Sequence, residues 1–419
     1  MVGDERSSGL AMADELETST AGWLTSWIPS WRPTSMSLLK NAEAKILSCI
    51  CSELVARFIS LPTQDKIWTL MVCNKRKNLD ATEQSSANHS PLVLMHGFGG
   101  GVGLWVQNLD ALCRRRAVYA FDLLGFGRSS RPTFSTDPSE AEDQSVNAIE
   151  EWRKAVGLDS MILLGHSLGG YLAASYAIQH PHRVRHLILV DPWGFPERPQ
   201  SQESQDNGNS VKRNGPPRWV KAVATVLSYF NPLAVLRIAG PWGPGLVQRF
   251  RPDFKRKFEE LFDDDTMTEY IYHCNAQTPS GEIAFRAMSE SLGWAKRPML
   301  ARIHLIAREV PITLIYGAQS WVDGSTGDRV RDLRPGSYVN SVTTLRLRAI
   351  PQKVGMYLDC DEGRLSFYSV EDRWHIYTFN GGVIGKLYPL FEPGVMGEEL
   401  EILQPKDETN NSDLHYEIM

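Results

Sequence analysis

The chain has 419 residues, a formal net charge of -5, 42% hydrophobic and 22% charged residues, and a pI near 6.1. These values fit a globular protein of about two or three domains, or one large α/β domain with additions. They exclude a nucleic-acid binder, because there is no basic tail and no aromatic-spaced basic stripe to track phosphates. The six cysteines are scattered without metal or framework spacing, which predicts free thiols in a reducing compartment.

In chain order, residues 1–20 are acidic without a long apolar core, which predicts disorder and no signal peptide. No run reaches the ~18 apolar residues of a membrane span. Residues 21–64 are predicted as a tryptophan-rich segment and a helix. In GWLTSWIPSWRPTS, Trp23, Trp27 and Trp31 recur every four residues, with Pro29 and Pro33 interrupting. Tryptophan favours the membrane–water boundary, so the segment reads as a peripheral anchor on the cytoplasmic side of a membrane. The alternative is a terminal segment packed on the fold.

KIWTLMV (66–72) alternates like a strand. PLVLMH, AVYAFDL, MILLG, HLILVD and PITLIYG are short apolar runs ending in Gly, His or Asp, or just beyond an Asp. Helical stretches such as SVNAIEEWRKAVG separate the earlier ones. Strands alternating with helices predict a mostly parallel sheet with helices on both faces, with ligands at its carboxyl ends. The core is predicted over 65–196 and 309–340. A helical cap with a mobile loop at 198–217 interrupts it over 197–308. Lys255, Arg256 and Lys257 beside Phe250, Phe254 and Phe258 read as a face for anionic lipid or as the solvated face of a cap helix.

GHSLGG (165–170) fits G-x-S-x-G, the strand-to-helix elbow that exposes a nucleophile, Ser167. The Leu168 amide lies at a helix start, where donors are unpaired. HGFGGG (96–101) follows a strand and offers the Phe98 amide as a second oxyanion donor. Asp323 follows PITLIYG and is the candidate acid that orients a histidine, with Asp191 as runner-up. His96 and His166 read as structural. His186 and Asp191 match H-x-x-x-x-D, but an offset of five in a strand puts them on opposite faces. No metal or cofactor is expected.

The segments WLTSWIPSWRPTSMS, VLMHGFGGGVGLW, YAFDLLGFGRSSRP, MILLGHSLGGYLA, HLILVDPWGFPERP and EYIYHCNAQTPSGE together resemble one α/β-hydrolase subfamily. It contains N-acylphosphatidylethanolamine lysophospholipases and a lipid-droplet lipase co-activator. The resemblance covers about residues 20 to 340. It implies an α/β-hydrolase fold, hydrolysis of acyl esters in N-acylphosphatidylethanolamine and lysophospholipids, and a peripheral place on the endoplasmic reticulum or lipid droplets. The co-activator carries Asn at the position of Ser167, so Ser167 places this chain on the enzymatic side of the resemblance.

After SYV the subfamily continues with a strand and a Gly-x-x-His segment that supplies the triad histidine. Here SYVNSVTTLRLRAIPQ follows, with a junction drawn at 341–352. Downstream, His415 lies in the acidic tail drawn over 395–419, which leaves His375 as a weak candidate. GMYLDCDEGRLSFY reads as a hairpin. Residues 353–394 are similar to the last third of a B30.2/SPRY domain, which implies a protein partner. The expectation is a serine lipid hydrolase of impaired turnover. The alternatives are a lipid- or lipase-binding adaptor and a protein-binding module at the C-terminus.

Overall fold

The computed structural model describes residues 34–74, 89–198, 232–291, 293–317, 320 and 322–344, and strand segments at 354–359, 364–369, 375–379, 402–403 and 415–418. The expectations for 1–20, for Trp23, Trp27 and Trp31, and for the loop at 199–217 lie outside these residues. Among the described residues no helix is long and apolar enough to cross a membrane.

In chain order the main elements are α1 (Met36–Leu47), β1 (Glu53–Ser60), β2 (Lys66–Cys73), β3 (Leu92–Met95), α2 (Val106–Leu112), β4 (Val118–Phe121), α3 (Pro138–Val156), β5 (Met161–His166), α4 (Leu168–Gln179) and β6 (Val184–Val190). The stretch predicted as a cap contributes α5 (Pro232–Ala239), α6 (Gly243–Phe250), α7 (Pro252–Phe258), α8 (Thr266–Asn275) and α9 (Gly281–Met288). Then follow β7 (Ile312–Gly317), α10 (Thr326–Leu333), β8 (Val339–Thr344), β9 (Val354–Asp359), β10 (Arg364–Ser369), β11 (His375–Phe379), β12 (Ile402–Leu403) and β13 (His415–Ile418). They divide between two compact units, 1–161 with 199–297 and 162–198 with 298–419.

In the first unit the strands run in the order β1-β2-β4-β3. β3 and β4 are parallel, while β1 on β2 and β2 on β4 are antiparallel. β1 falls within the segment predicted as a tryptophan-rich region and helix, and this is a correction. ELVARFIS is almost wholly exposed, so no buried face marks it in sequence. Its extended state comes from an unbroken ladder from Glu53↔Cys73 to Ser60↔Lys66.

α3 is bounded sharply. Asp137 accepts from the Ser139 and Glu140 amides, Pro138 follows, and Gly157 ends the helix at φ 84. Its Trp152 lies 4.4 Å from Phe121 and donates to Thr69 Oγ1 at 2.9 Å, so the indole N–H is satisfied inside the core. α1 buries Leu39, Ala42 and Ile46 against Tyr270, Ile271 and Tyr272 of α8, with Val247, Phe254 and Phe258 in the same cluster. The N-terminal helix therefore shares one hydrophobic core with the helices of residues 243–275.

In the second unit the order is β5-β6-β7-β8, and β7 is parallel to both its neighbours. β8 runs in register with β7 from Val339↔Ile312 to Thr344↔Gly317, so the ladder passes through the junction drawn at 341. A five-stranded sheet, ordered β11-β10-β9-β13-β12, holds the predicted hairpin, with Val354↔Ser369 through Asp359↔Arg364. Residues read as an acidic tail supply β12 and β13, which pair with each other and, through β13, with β9. Backbone hydrogen bonding does not need an apolar run, and the composition of the tail conceals these strands.

Candidate active site

β5 ends at His166 and α4 begins at Leu168, which leaves one residue for the reversal. Ser167 makes it at φ 54, ψ -117. A side-chain-bearing residue in this region is strained by about 1–3 kcal/mol and persists only where its surroundings enforce it. They do so here. The Ser167 amide donates to Val190 O at 3.0 Å, and the Ser167 carbonyl accepts from Gly170, Tyr171 and Trp193 amides at 3.0, 3.2 and 3.1 Å. A Cβ on Gly165 would lie 2.3 Å from Gly169 O, and one on Gly170 would lie 3.0 Å from Gly165 O. The elbow's glycines are needed because strand and helix pass each other at backbone contact. Ser167 is half-buried, and the Leu168 amide lies in the first turn, where no intrahelical acceptor exists.

Asp323 is exposed and folded onto its own turn. Its Oδ1 accepts from the Ser325 amide at 3.0 Å and its Oδ2 from the Ser325 hydroxyl at 2.7 Å. Asp191 sits at φ 42 and accepts from the Gly317 amide at 3.1 Å. Both charges act on the buried Tyr316 phenol, whose pKa is raised by burial first and then by Asp191, Asp323 and Asp328. The two acid candidates thus share one neighbourhood, which sequence reasoning missed. Tyr316 lies inside the apolar run PITLIYG, where nothing local distinguishes its hydroxyl.

Among the described residues no histidine pairs with the Ser167 hydroxyl. His375 opens β11 opposite Tyr368, and His415 opens β13 opposite Tyr357. His186 lies 2.8 Å from the Thr313 hydroxyl, five residues from Asp191, so H-x-x-x-x-D forms no pair. Nor do the described residues hold a cluster of His, Cys, Asp and Glu able to bind a metal ion.

The glycine-rich loop of HGFGGG is built within the first unit. His96 is fully buried, which pushes its imidazole down to about 4 and keeps it neutral. Its Nδ1–H donates to Gly97 O at 2.8 Å, and its Nε2 accepts from the Leu123 amide at 2.9 Å. The ring is therefore a brace, as expected. Phe98 packs its ring 4.4 Å from Phe285 of α9.

Gly99 takes φ 66, and Asn275 Nδ2 donates to its carbonyl at 2.7 Å and to Ile271 O at 2.8 Å. The Gly103 amide donates to the Tyr270 hydroxyl at 2.9 Å, and the Val102 amide to Asp122 Oδ1 at 2.8 Å. A Cβ on Gly101 would meet the Tyr270 oxygen at 2.3 Å. The cap helix α8 therefore occupies the space that the glycines leave. Asn275 and Tyr270 escaped sequence reasoning because their role exists only across this contact.

The α/β hydrolase fold model matches residues 90–335, and the SPRY domain model matches residues 312–407. A (lyso)-N-acylphosphatidylethanolamine lipase of Homo sapiens is 62% identical over 331 residues, which span 79% of this chain and 92% of the relative. The lipase of that name in Mus musculus is 61% identical over the same shares. A 1-acylglycerol-3-phosphate O-acyltransferase of Homo sapiens is 52% identical over 339 residues, 80% of this chain and 92% of the relative. The SPRY match contains residues 353–394, where the sequence resembles a B30.2/SPRY domain, and extends beyond them on both sides. The elbow, the glycine-rich loop and these relatives agree, and the chain belongs to the α/β-hydrolase family.

Proposed function

We propose that the chain takes N-acylphosphatidylethanolamine and lysophospholipids into a serine-hydrolase site and cleaves their acyl esters at a strongly reduced rate. Ser167 attacks the acyl carbonyl, and the Leu168 and Phe98 amides are the oxyanion donors. Asp323, with Asp191 near it, is the acid side of the triad. The observation that carries the reading is Ser167 held in a strained elbow with no imidazole on its hydroxyl among the described residues. Loss of one triad member lowers turnover by about 10⁴ to 10⁶, and binding and oxyanion stabilisation survive.

The chain works peripherally on the cytoplasmic side of a membrane or on a lipid droplet, with Trp23, Trp27 and Trp31 as interfacial anchors. That no described imidazole meets the Ser167 hydroxyl also favours a second reading, a lipid- or lipase-binding adaptor whose C-terminal strands meet a protein partner. A fluorophosphonate probe separates the two. Slow labelling lost in Ser167→Ala supports a residual hydrolase, and no labelling with lipid binding kept supports the adaptor. Near-complete esterase activity abolished by Ser167→Ala would refute the impaired site.

A further inference from the structure

β1 ends the strand order of the first unit, and among the described residues no strand pairs with its outer edge. Proteins blunt such an edge with lysine, proline, a bulge or a very short strand, because an open edge pairs with other chains. ELVARFIS has neither lysine nor proline, is eight residues long, and pairs with β2 without a bulge. Six of its eight residues are exposed, among them Val55 and Phe58 at 47% and 42%. The edge is therefore long, straight, partly apolar and undefended.

The hydrogen bonds of β2 show which backbone groups of β1 are open. The Lys66 amide donates to Ser130 Oγ and the Lys66 carbonyl accepts from the Ser130 amide, both at 2.8 Å. The Trp68 amide donates to Ser129 Oγ at 3.0 Å, and the Trp68 carbonyl accepts from the Asp122 amide at 2.9 Å. The even-numbered residues of β2 thus turn their backbone groups away from β1. Ile67, Thr69 and Met71 turn theirs toward it, opposite Ile59, Arg57 and Val55. Backbone direction alternates along a strand, so Leu54, Ala56 and Phe58 point their amides and carbonyls out of the sheet.

We propose that β1 pairs antiparallel with β1 of a second copy of this chain, about a two-fold axis at Val55. The charges of the strand select this partner and this register. Glu53 and Arg57 are exposed, four residues apart, and on one face. About Val55, Glu53 stands opposite the partner's Arg57, and Arg57 opposite the partner's Glu53. These are non-hydrogen-bonded pairs, whose side chains approach most closely. Leu54 and Ala56 exchange backbone bonds with the partner's Ala56 and Leu54, using the groups that point outward. Centring on Ala56 instead would set Glu53 against the buried Ile59, and centring on Arg57 would set that cation against its own copy. The overlap from Glu53 to Arg57 is about the usual length of a strand. So small an interface gives a dimer that dissociates on dilution. It joins the four strands of one first unit to the four of its partner.

Analytical ultracentrifugation of the full chain across a dilution series tests this, with the melting temperature of each variant as the check on folding. The parent is expected to pass from monomer to dimer as concentration rises. Arg57→Glu is expected to weaken the dimer about tenfold or more, because both cross-strand pairs become repulsive. Glu53→Arg/Arg57→Glu reverses both charges and is expected to restore it. Ala56→Pro removes an outward amide while leaving the bonds to β2, and is expected to give a monomer. Should Ala56→Pro fail to fold, the two charge variants decide. A parent that stays monomeric up to its solubility limit overturns the proposal. So does a dimer that Arg57→Glu leaves intact, which places the contact elsewhere. A folded Glu53→Arg/Arg57→Glu variant that remains monomeric gives the edge another register or another occupant, and also overturns it.

Discussion

Replacing Glu43 by Gln should remove a pH dependence of stability that resides in the N-terminal helix. Glu43 lies on α1 and is 1% exposed. Its Oε1 accepts from Arg128 Nη1 at 2.6 Å and from Trp68 Nε1 at 2.9 Å, whereas Oε2 is buried with no hydrogen-bond partner among the described residues. The Arg128 guanidinium stacks 3.6 Å from the Trp68 ring centre. Burial first, then the charge of Asp122, raises the Glu43 pKa from 4.5 to about 7 against the opposing pull of Arg128. Asp122 is itself raised, chiefly by burial.

A carboxyl whose folded pKa is raised contributes stability below its unfolded pKa and loses it as pH rises through the folded value. At about 1.4 kcal/mol per unit, the Glu43 shift puts about 3 kcal/mol at stake between pH 4.5 and 7. Glu43→Gln keeps an acceptor for Arg128 and Trp68 and cannot ionise. Urea midpoints at pH 5 and pH 7.5 are the assay. The two chains should be close at the lower pH, and the variant should be the more stable at the higher. A variant that is instead less stable by about 3–5 kcal/mol at pH 7.5 would show a net favourable ion pair and refute the reasoning.

Gly101→Ala should cost about 1–3 kcal/mol by overpacking, because the new methyl falls on the Tyr270 hydroxyl. Urea denaturation reads it, and adding Tyr270→Phe should restore part of the loss by removing the clashing atom. An unchanged midpoint would mean that the loop shifts freely away from α8. Asn275→Ala leaves the Gly99 and Ile271 carbonyls without this donor, at a cost of about 1–3 kcal/mol. Hydrogen exchange at the Gly100 and Val102 amides should speed up, and protection equal to the parent's would count against Asn275 as the clamp.

The parts of the fold legible in sequence are those with a local cause. β3 is four buried apolar residues, and PITLIYG is continuous enough to mark β7. The elbow is legible because its glycines answer a steric demand within five residues. Elements with a distant cause were not legible. β1 has no buried face of its own, and β12 and β13 lie in a polar tail. The packing of α1 on α8 joins residues more than two hundred positions apart, as Leu39 and Ile46 cluster with Tyr270 and Ile271. Asp323 was placed by its position after a strand, and it does follow β7. Its bonds to Ser325 come from the Asp-Gly-Ser turn, a local competitor of the kind short polar side chains provide.

The second unit separates what a fold needs from what its chemistry needs. β8 completes a parallel ladder with β7 over six residues although its sequence, VNSVTT, is mostly polar. That is tolerable because ladder hydrogen bonds belong to the backbone and an edge strand need not bury both faces. The elbow upstream retains its strained serine, since its constraints come from Gly165, Val190 and Trp193 and not from a catalytic partner. A triad has no such tolerance: one imidazole at one position supplies the base, and no backbone group substitutes for it. A chain can therefore keep the strand order, the elbow and the braced glycine-rich loop of this family while losing most of its turnover. The proposed reading therefore calls for lipid binding and hydrolysis to be measured separately, because hydrolysis alone hangs on a single side chain.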